Sequence, residues 1–487
     1  MRIVNKPVTF ALLVGTRGFF NAQLAREGRS GILKRLAELG YGSVILPEDA
    51  TASSAVESYA DAMKCAELFK KRREDIDGVL IVLPNFGDEV AIVSALNLAK
   101  LDVPVLVIAC DDDVDKVDLN HRRDAFCGKI SVCNNLYQYG IPFTDTRYHT
   151  CSLTGKDLAD DLRSFAAVCR TVRGLGAARI GAIGARPAAF QTMRASEKLL
   201  QASGVTVVPL DLSEIISAAQ KMGDSQELAL RLKEIGDYGR IPSTIVRENI
   251  TKQAKLGLAI EAWMEKNQLD AAAVQCWSSI QENYGCATCL TMSMMGEKLM
   301  PAACEVDIAG VISMYALVLA SGSASAILDW NNNYGSDRDM CVCTHCSNYP
   351  KSFMGNEIEI SNLDILGKSL GPDRCFGAIK GRVAPGHMTF FRLSTDDRRG
   401  KIKMYTGEGD FTDDPFPMDG GIAVTRVKDL QPLMKYIVKN GFEHHVAMVR
   451  GSVASDLAEA CGTYLGWEVY HHGGTAQGEA GGVDSSL

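Results

Sequence analysis

Two carboxylates, Glu305 and Asp329, bracket the most apolar stretch of this 487-residue chain. Between them, Ile308 to Ala320 carries almost no polar residue and is long enough for a buried helix. Asp307 suits the start of that helix, where free N–H groups and the dipole favour an acid. After a small-residue turn, Ser321-Gly322-Ser323, the run Ala324 to Leu328 reads as a short buried strand ending on Asp329-Trp330. An acid at the carboxyl end of a buried strand lies where open α/β sheets form their ligand crevice. With the helix as a crossover, Glu305 and Asp329 would converge on one site. The alternative, one capping acid and one loop acid, stands equally on spacing alone.

Two carboxylates with one imidazole, His444 or His445, would make a hard O/O/N set suited to Mn²⁺ or Mg²⁺. Nothing in the spacing places either histidine beside Glu305. A competing thiol-rich cluster, Cys341, Cys343, His345 and Cys346, lacks a second ligand pair at the distance a structural zinc requires. Cys286 and Cys289 form a CxxC, but within predicted core. Arg17, Gln275 and Trp277 place hydrogen-bond donors and an aromatic face at expected strand ends, on the ligand side of such a sheet.

The elements that must position these residues alternate strand and helix. Val8 to Val14, Ser43 to Leu46, Asp77 to Leu83 and Val103 to Ala109 read as strands, with helices over 21–39, 54–73 and 88–100, and 151–174 reads as a further helix. Strands alternating with helices indicate a parallel, helix-covered sheet. Residues 111–128 read as a solvated polar loop, with Arg122, Arg123 and Asp124 as an ion cluster or an anion contact. A second unit restarts at Ala178, with strands near Val205 to Val208 and Ala271 to Val274 and helices over 188–202, 212–235 and 250–266. After about Pro350, short runs separated by Gly, Pro and Asp indicate a β-rich segment, with helices returning at 428–439 and 453–464 and packing on the second lobe. The expected fold class is α/β: two Rossmann-like parallel-sheet lobes, 1–170 and 171–350, then a β-rich, barrel-like C-terminal domain, 351–487. The Gly- and Ser-rich tail from Gly473 to Leu487 is expected to be weakly held.

Composition is that of a globular protein, 46% hydrophobic and 23% charged, with a formal net charge of -8. The absence of a long basic stretch argues against nucleic acid or a membrane surface as partner. The apolar start is too short to span a membrane and lacks a small-residue cleavage site. Fifteen cysteines, an odd number and many in apolar runs, suit buried free thiols in a reducing cytoplasm. The loop Gly15 to Gly18 is not a GxGxxG, which disfavours a nucleotide cofactor.

The run ACEVDIAGVISMYALVLASGSASAILDWNNNYG followed by HCSN resembles the signature of the L-fucose isomerase and L-arabinose isomerase superfamily, most of all its fucose-isomerase-like branch. VGTRGFF, LPNFGDE, HRRDAFCGKISVCNN, GARPAAFQTMRASEKLL, QCWSS and GFEHHVAMV agree, in the expected order over most of the chain. The resemblance implies a Mn²⁺-dependent (or Co²⁺- or Mg²⁺-dependent) aldose–ketose isomerase acting through an enediol. It implies Glu305, Asp329 and His445 as metal ligands, Glu305 and Asp329 as the acid–base pair, and His345 beside the ligands. It also implies a homo-hexamer in which the first lobe closes over the metal of a neighbouring subunit. The expected partner is a small sugar, L-fucose or D-arabinose by default. A sulfonated hexose such as sulfoquinovose is the alternative, which would need a cationic pocket; Arg17, Arg122 and Arg123 are candidate donors. A rival of another class is a cytoplasmic sugar-binding protein without chemistry. A redox protein rests only on the cysteine count.

Overall fold

The computed structural model describes residues 6–345, 348–355, 358–418 and 420–474. Two compact units divide the chain, one built on Arg2–Arg173 with Glu459–Gly466, the other on Gly174–Ala458 with the segment from Trp467. The expected weakly held tail lies, from residue 475, outside the described residues, as does Cys346.

In the first unit the alternating pattern folds as expected into a parallel sheet. Its strands are β1 (Thr9–Val14), β2 (Gly42–Val44), β3 (Gly78–Leu83), β4 (Val105–Ala109) and β5 (Thr144–Asp145), in the order β2-β1-β3-β4-β5. All six residues of β3 are buried, as a central parallel strand covered on both faces requires. The covering helices start where the sequence supplies caps; Ser58 and Asp61 form a reciprocal capping box at the helix Tyr59–Lys71. Arg122 forms an ion pair with Asp124, and Arg123 donates to the Pro84 carbonyl at 2.8 Å. One expectation is corrected here. The segment Glu459–Gly466 packs in this unit, not on the second lobe: Tyr464 Oη hydrogen-bonds Thr144 Oγ1 at 2.7 Å and donates to the Val105 carbonyl at 3.1 Å. Ala460 and Tyr464 join the core of Phe10, Leu106 and Phe165, so the apolar face of this late segment is spent there.

The second unit holds a smaller parallel sheet, β6 (Arg179–Ile183), β7 (Thr206–Leu210), β8 (Ala271–Val274) and β9 (Ala302–Ala303), in the order β7-β6-β8-β9. The helix expected over 188–202 forms only at Glu197–Ala202, after an irregular loop with a short turn at Gln191–Met193. Pro187 disfavours helix in the residues around it, and Ser196 sets the start by accepting from Leu199 N at 3.4 Å.

The same unit contains a nine-stranded sheet: β10 (Ser325–Tyr334), β11 (Asp337–His345), β12 (Glu359–Asn362), β13 (Phe376–Arg382), β14 (Gly386–Asp396), β15 (Lys401–Thr412), β16 (Gly421–Arg426), β17 (His445–Arg450) and β18 (Glu468–His471). A further pairing of β15 with β16 closes β16-β11-β10-β17-β14-β15 into a ring, the barrel-like domain expected. β10 and β11 precede the expected limit at residue 350 and yet belong to this barrel. β10 runs five residues past Asp329, antiparallel to both β11 and β17. Asp329 is therefore mid-strand, not at the carboxyl end of a parallel strand. The helix Ile308–Ser321 links the small sheet to the barrel instead of crossing over within one sheet. Its first thirteen residues are all buried, so the apolar run that marks it in the sequence is the core between two layers. Among the described residues no helix is long and apolar enough to cross a membrane.

Gly310, in the first turn of that helix, leaves room for the Asp307 carboxylate; a Cβ there would fall on Asp307 Oδ2 and Ile327 Cδ1. We expect Gly310→Ala to destabilise by about 1–3 kcal/mol, the range for overpacking a core. Gly223→Ala, where a Cβ meets open space, should stay within about 0.5 kcal/mol of the parent. Denaturant unfolding of the two variants side by side checks this, and equal stability would refute the packing argument.

Candidate active site

Three adjacent barrel strands bring three of the expected residues together. Asp329 on β10 is in register with His445, the first residue of β17, and with Thr344 on β11, next to His345. The His345 and His445 rings lie 4.7 Å apart between centroids, nearly perpendicular. Glu305 arrives from the small sheet. Beyond β9 the chain turns through Glu305 and Val306 at φ of 61° and 54°, a left-handed pair that costs about 1–3 kcal/mol per residue and is least tolerable for a β-branched side chain. That turn leaves Glu305 4% exposed beside the barrel histidines.

Asp307 organises the centre. Its Oδ1 accepts from Gly310 N at 2.8 Å, capping the Ile308–Ser321 helix as the sequence suggests. Arg392 on β14 grips the same carboxylate through Nη1 at 2.6 Å and Nη2 at 3.1 Å, and donates from Nε to Glu443 at 3.1 Å. Asp307 Oδ2 also lies 2.7 Å from His445 Nδ1. An ionised carboxylate can only accept, so Nδ1 carries the proton and Nε2 presents a bare lone pair. Nε2 lies 3.4 Å from Glu305 Oε2 and 3.4 Å from Asp329 Oδ1. Glu305 Oε1 accepts from the Trp277 indole at 3.3 Å. His345 Nδ1 meets Asp329 Oδ1 at 3.0 Å, and its Nε2 contacts Cys304 Sγ.

The electrostatics separate these groups. Burial alone would raise Asp307, but Arg392 and His445 outweigh it and hold the carboxyl well below the ordinary range. Burial pushes His445 down to about 4 against the pull of Asp307, so the imidazole is neutral at neutral pH. Burial opposes charge on His345 too, yet Asp329 and Glu305 lift it to about 9. Asp329 stays below its usual value despite burial, because His345 faces it. Glu305 is raised, mainly by burial.

Among the described residues, buried Glu305 Oε2 and His445 Nε2 have no hydrogen-bond partner. Two orphaned lone-pair donors face to face, with a second carboxylate within reach, are what a cation would satisfy. Two overlapping groups have the right convergence, Glu305 with His345 and His445, and Asp329 with His444 and His445. His445 is common to both and fully buried, whereas the His444 side chain is 42% exposed. Cys341 and Cys343 face Thr425 inside the barrel instead.

Trp277 stands at the site, in edge contact with Phe190 at 5.3 Å between centroids; Phe190 also reaches His444 at 6.0 Å. Gln275 accepts from Ala185 N at 2.9 Å and lines a cleft of about 970 Å³ at the carboxyl edge of the small sheet, with Gly184, Leu210 and Ser279. Arg17 belongs to the first unit, paired with Glu89 at 2.7 Å and stacked on Phe86 at 4.1 Å. Sequence reasoning missed Arg392 and Glu443 and read Asp307 only as a cap. The available signal was an arginine inside the apolar strand run MTFFRL, since a buried guanidinium must have carboxylate partners.

Both Arg392 and Asp307 are fully buried. Arg392→Met should therefore cost about 3–5 kcal/mol, the penalty for stranding a buried charge. Adding Asp307→Asn to it should return part of that loss. Because the folded Asp307 pKa is depressed, its contribution is complete above the unfolded value of about 3.9 and is lost only as pH falls through the folded one. The loss should thus be equal at pH 6 and pH 8. Unfolding free energies of the single and double variants test the coupling, and strict additivity would refute it.

Comparison with known proteins places the chain in a family. The family model described as fucose/sulfoquinovose isomerase, N-terminal domain, matches residues 11–176, and that described as L-fucose isomerase, C-terminal domain, matches 343–472. Together they span more than half of the chain. A sulfoquinovose isomerase of Priestia aryabhattai is 25% identical over 86% of this chain and 89% of its own length. A sulfoquinovose isomerase of Alkalicoccus urumqiensis is 25% identical over 61% of this chain and 66% of its own. A solute-binding protein of Burkholderia multivorans aligns over 66% of this chain and 95% of its own at 11% identity, but with a TM-score of 0.18 it carries no argument. With matching models at both ends and carboxylates and histidines gathered at the junction of sheet and barrel, the chain belongs to the fucose-isomerase-like family of aldose–ketose sugar isomerases.

Proposed function

We propose that this enzyme is a Mn²⁺-dependent isomerase of a sulfonated hexose of the sulfoquinovose type, with Glu305, Asp329 and His445 as metal ligands. The observation that carries the metal is the pair of orphaned buried atoms, Glu305 Oε2 and His445 Nε2, 3.4 Å apart. Oxygen and imidazole donors without thiolate favour Mn²⁺ or Mg²⁺ over a thiophilic ion. Bound there, the cation supplies Lewis acidity toward the sugar carbonyl.

The chain's own residues do the rest. Glu305 and Asp329 form the acid–base pair: one takes the proton from C2 of the open-chain sugar, the other returns a proton to C1. O1 gains a proton as C2 loses one, which gives the enediol, and O2 gives up its proton as C1 gains one, so aldose becomes ketose with no oxidant or reductant. Trp277 holds Glu305 Oε1 and leaves Oε2 free. His345 orients Asp329. Asp307 holds His445 with Nε2 inward. Gln275, Trp277 and Arg17 are the sugar contacts in this reading, and a homo-hexamer in the cytoplasm completes it.

The sulfonated substrate is supported by the relatives that align over most of the chain. The match of the L-fucose isomerase C-terminal model favours L-fucose or D-arabinose as the second reading. Turnover of sulfoquinovose, L-fucose and D-arabinose, assayed after metal stripping and Mn²⁺ addition, decides between them.

Chelator should abolish turnover and Mn²⁺ restore it; full activity in excess chelator, with no metal by elemental analysis, defeats the reading. Glu305→Gln and Asp329→Asn should each reduce kcat by at least about 100-fold. Asp307→Asn should weaken metal binding about 10–100-fold, as loss of a carboxylate behind a ligating histidine does. Competition with a chromophoric chelator measures that independently of turnover.

A further inference from the structure

The segment Gly184 to Ser196 joins β6 to the next helix and carries GARPAAFQTMRAS, a motif to which the chemistry above gives no role. It is tied at both ends. Ala185 N donates to Gln275 Oε1 at 2.9 Å, and Ser196 N donates to Thr395 Oγ1 on β14 at 3.0 Å. Midway, Phe190 packs on Trp277, whose indole holds Glu305, and on His444. The loop is thus fastened against the reacting centre, and Gly184 and Ala185 line the adjoining cleft.

Two arginines flank Phe190, four residues to either side. Arg186 donates from Nη1 to the carbonyls of Pro187 at 2.9 Å and Ala188 at 3.5 Å. Arg194 donates from Nε to the Gln191 carbonyl at 2.9 Å. Both sets of acceptors are neutral and belong to the loop itself, so they fix the guanidinium planes without neutralising them. Neither arginine forms an ion pair among the described residues. The earlier candidates for a cationic pocket differ: Arg17 is paired with Glu89, Arg122 with Asp124, and Arg123 is engaged with a backbone carbonyl. Two acids line the cleft beyond this loop: Asp211 is spent capping its helix through Ser213 N at 2.8 Å, and Glu214 lies in the first turn of that helix.

We infer that Arg186 and Arg194 are specificity residues that read an anionic group, a sulfonate, on the end of the sugar away from C1 and C2. A guanidinium offers paired, rigidly placed N–H donors to the oxygens of such a group. Loop carbonyls that orient it reduce what binding must order. The inference rests on the sugar-isomerase reading and adds to it the side chains that choose the substrate.

The test compares sulfoquinovose with quinovose, the same hexose without the sulfonate, on the Mn²⁺-loaded enzyme and its Arg186→Gln and Arg194→Gln variants. The ratio of kcat/KM values, sulfonated over neutral, should fall about 10–100-fold in Arg186→Gln, the range for losing a hydrogen bond to a charged group. It should fall less in the more exposed Arg194→Gln. Arg186→Lys, which keeps the charge but not the paired donors, should lie between. A proportional loss on both sugars, or none, overturns the inference, because a loop that only shapes the site does not discriminate between them. Calorimetric binding of both sugars to each protein separates this failure from that of the parent reading. A wild-type preference for the sulfonated sugar that disappears in Arg186→Gln supports the inference even where neither sugar turns over. Absence of any preference in the wild type refutes it.

Discussion

The bidentate contact of Arg392 with Asp307 is the constraint on which the site depends. Both side chains are fully buried, and a buried charge is tolerated only when paired and hydrogen-bonded. Asp307 meets that condition three times over, through Arg392, the amide of Gly310 and His445. Each partner comes from a different element: a barrel strand, the buried helix and a second barrel strand. One carboxylate thereby fixes the helix start, the spacing between helix and barrel, and the tautomer of His445. Were Asp307 neutral, it could donate as well as accept, and nothing would dictate which imidazole nitrogen carries the proton.

That constraint also explains how Glu305 keeps an unfavourable backbone. Glu305 and Val306 are both left-handed, and the surrounding structure must over-determine such a pair. On one side, β9 holds the chain at Ala302–Ala303 in register with Ala272 and Ala273; on the other, Asp307 is locked by Arg392. Three residues, Cys304, Glu305 and Val306, are left to bridge a parallel strand and a helix whose entry is already set. The strain sits at the carboxylate that this geometry aims at the histidines.

The fold class was legible in the sequence because its signals are local. Alternating strand and helix periods, and the loss of helical period after Pro350, are properties of short windows. That Glu305, Asp329 and His445 belong together was legible only through the resemblance of long motifs, since their adjacency is created by barrel register and by the turn after β9, which no window contains. The same limit explains the misreading of β10. Ala324 to Leu328 has the apolar texture of a buried parallel strand, and the polar residues after Asp329 read as a loop, yet they continue as strand with bulges between Trp330 and Tyr334. Arg392 shows the reverse case. Its placement in an apolar strand announced a buried partner, but which of 59 acids it would meet was a question of tertiary structure.

The proposed chemistry and the proposed selectivity occupy different kinds of structure here. Asp329, His345 and His445 stand on paired strands, and Glu305 is pinned between a strand and a capped helix, so these carboxylates and imidazoles share the rigidity of the sheets. Phe190 and its flanking arginines stand on an irregular loop held at its two ends by single hydrogen bonds to side chains of Gln275 and Thr395. A substitution in the loop leaves the Asp307 network intact, whereas a substitution in the network disturbs His445, Arg392 and the helix start at once. A family that isomerises differently substituted sugars with one acid–base apparatus needs that division. The strands keep carboxylates and imidazole in register, and the loop, free of the sheet's hydrogen bonding, can vary with the substituent it must recognise.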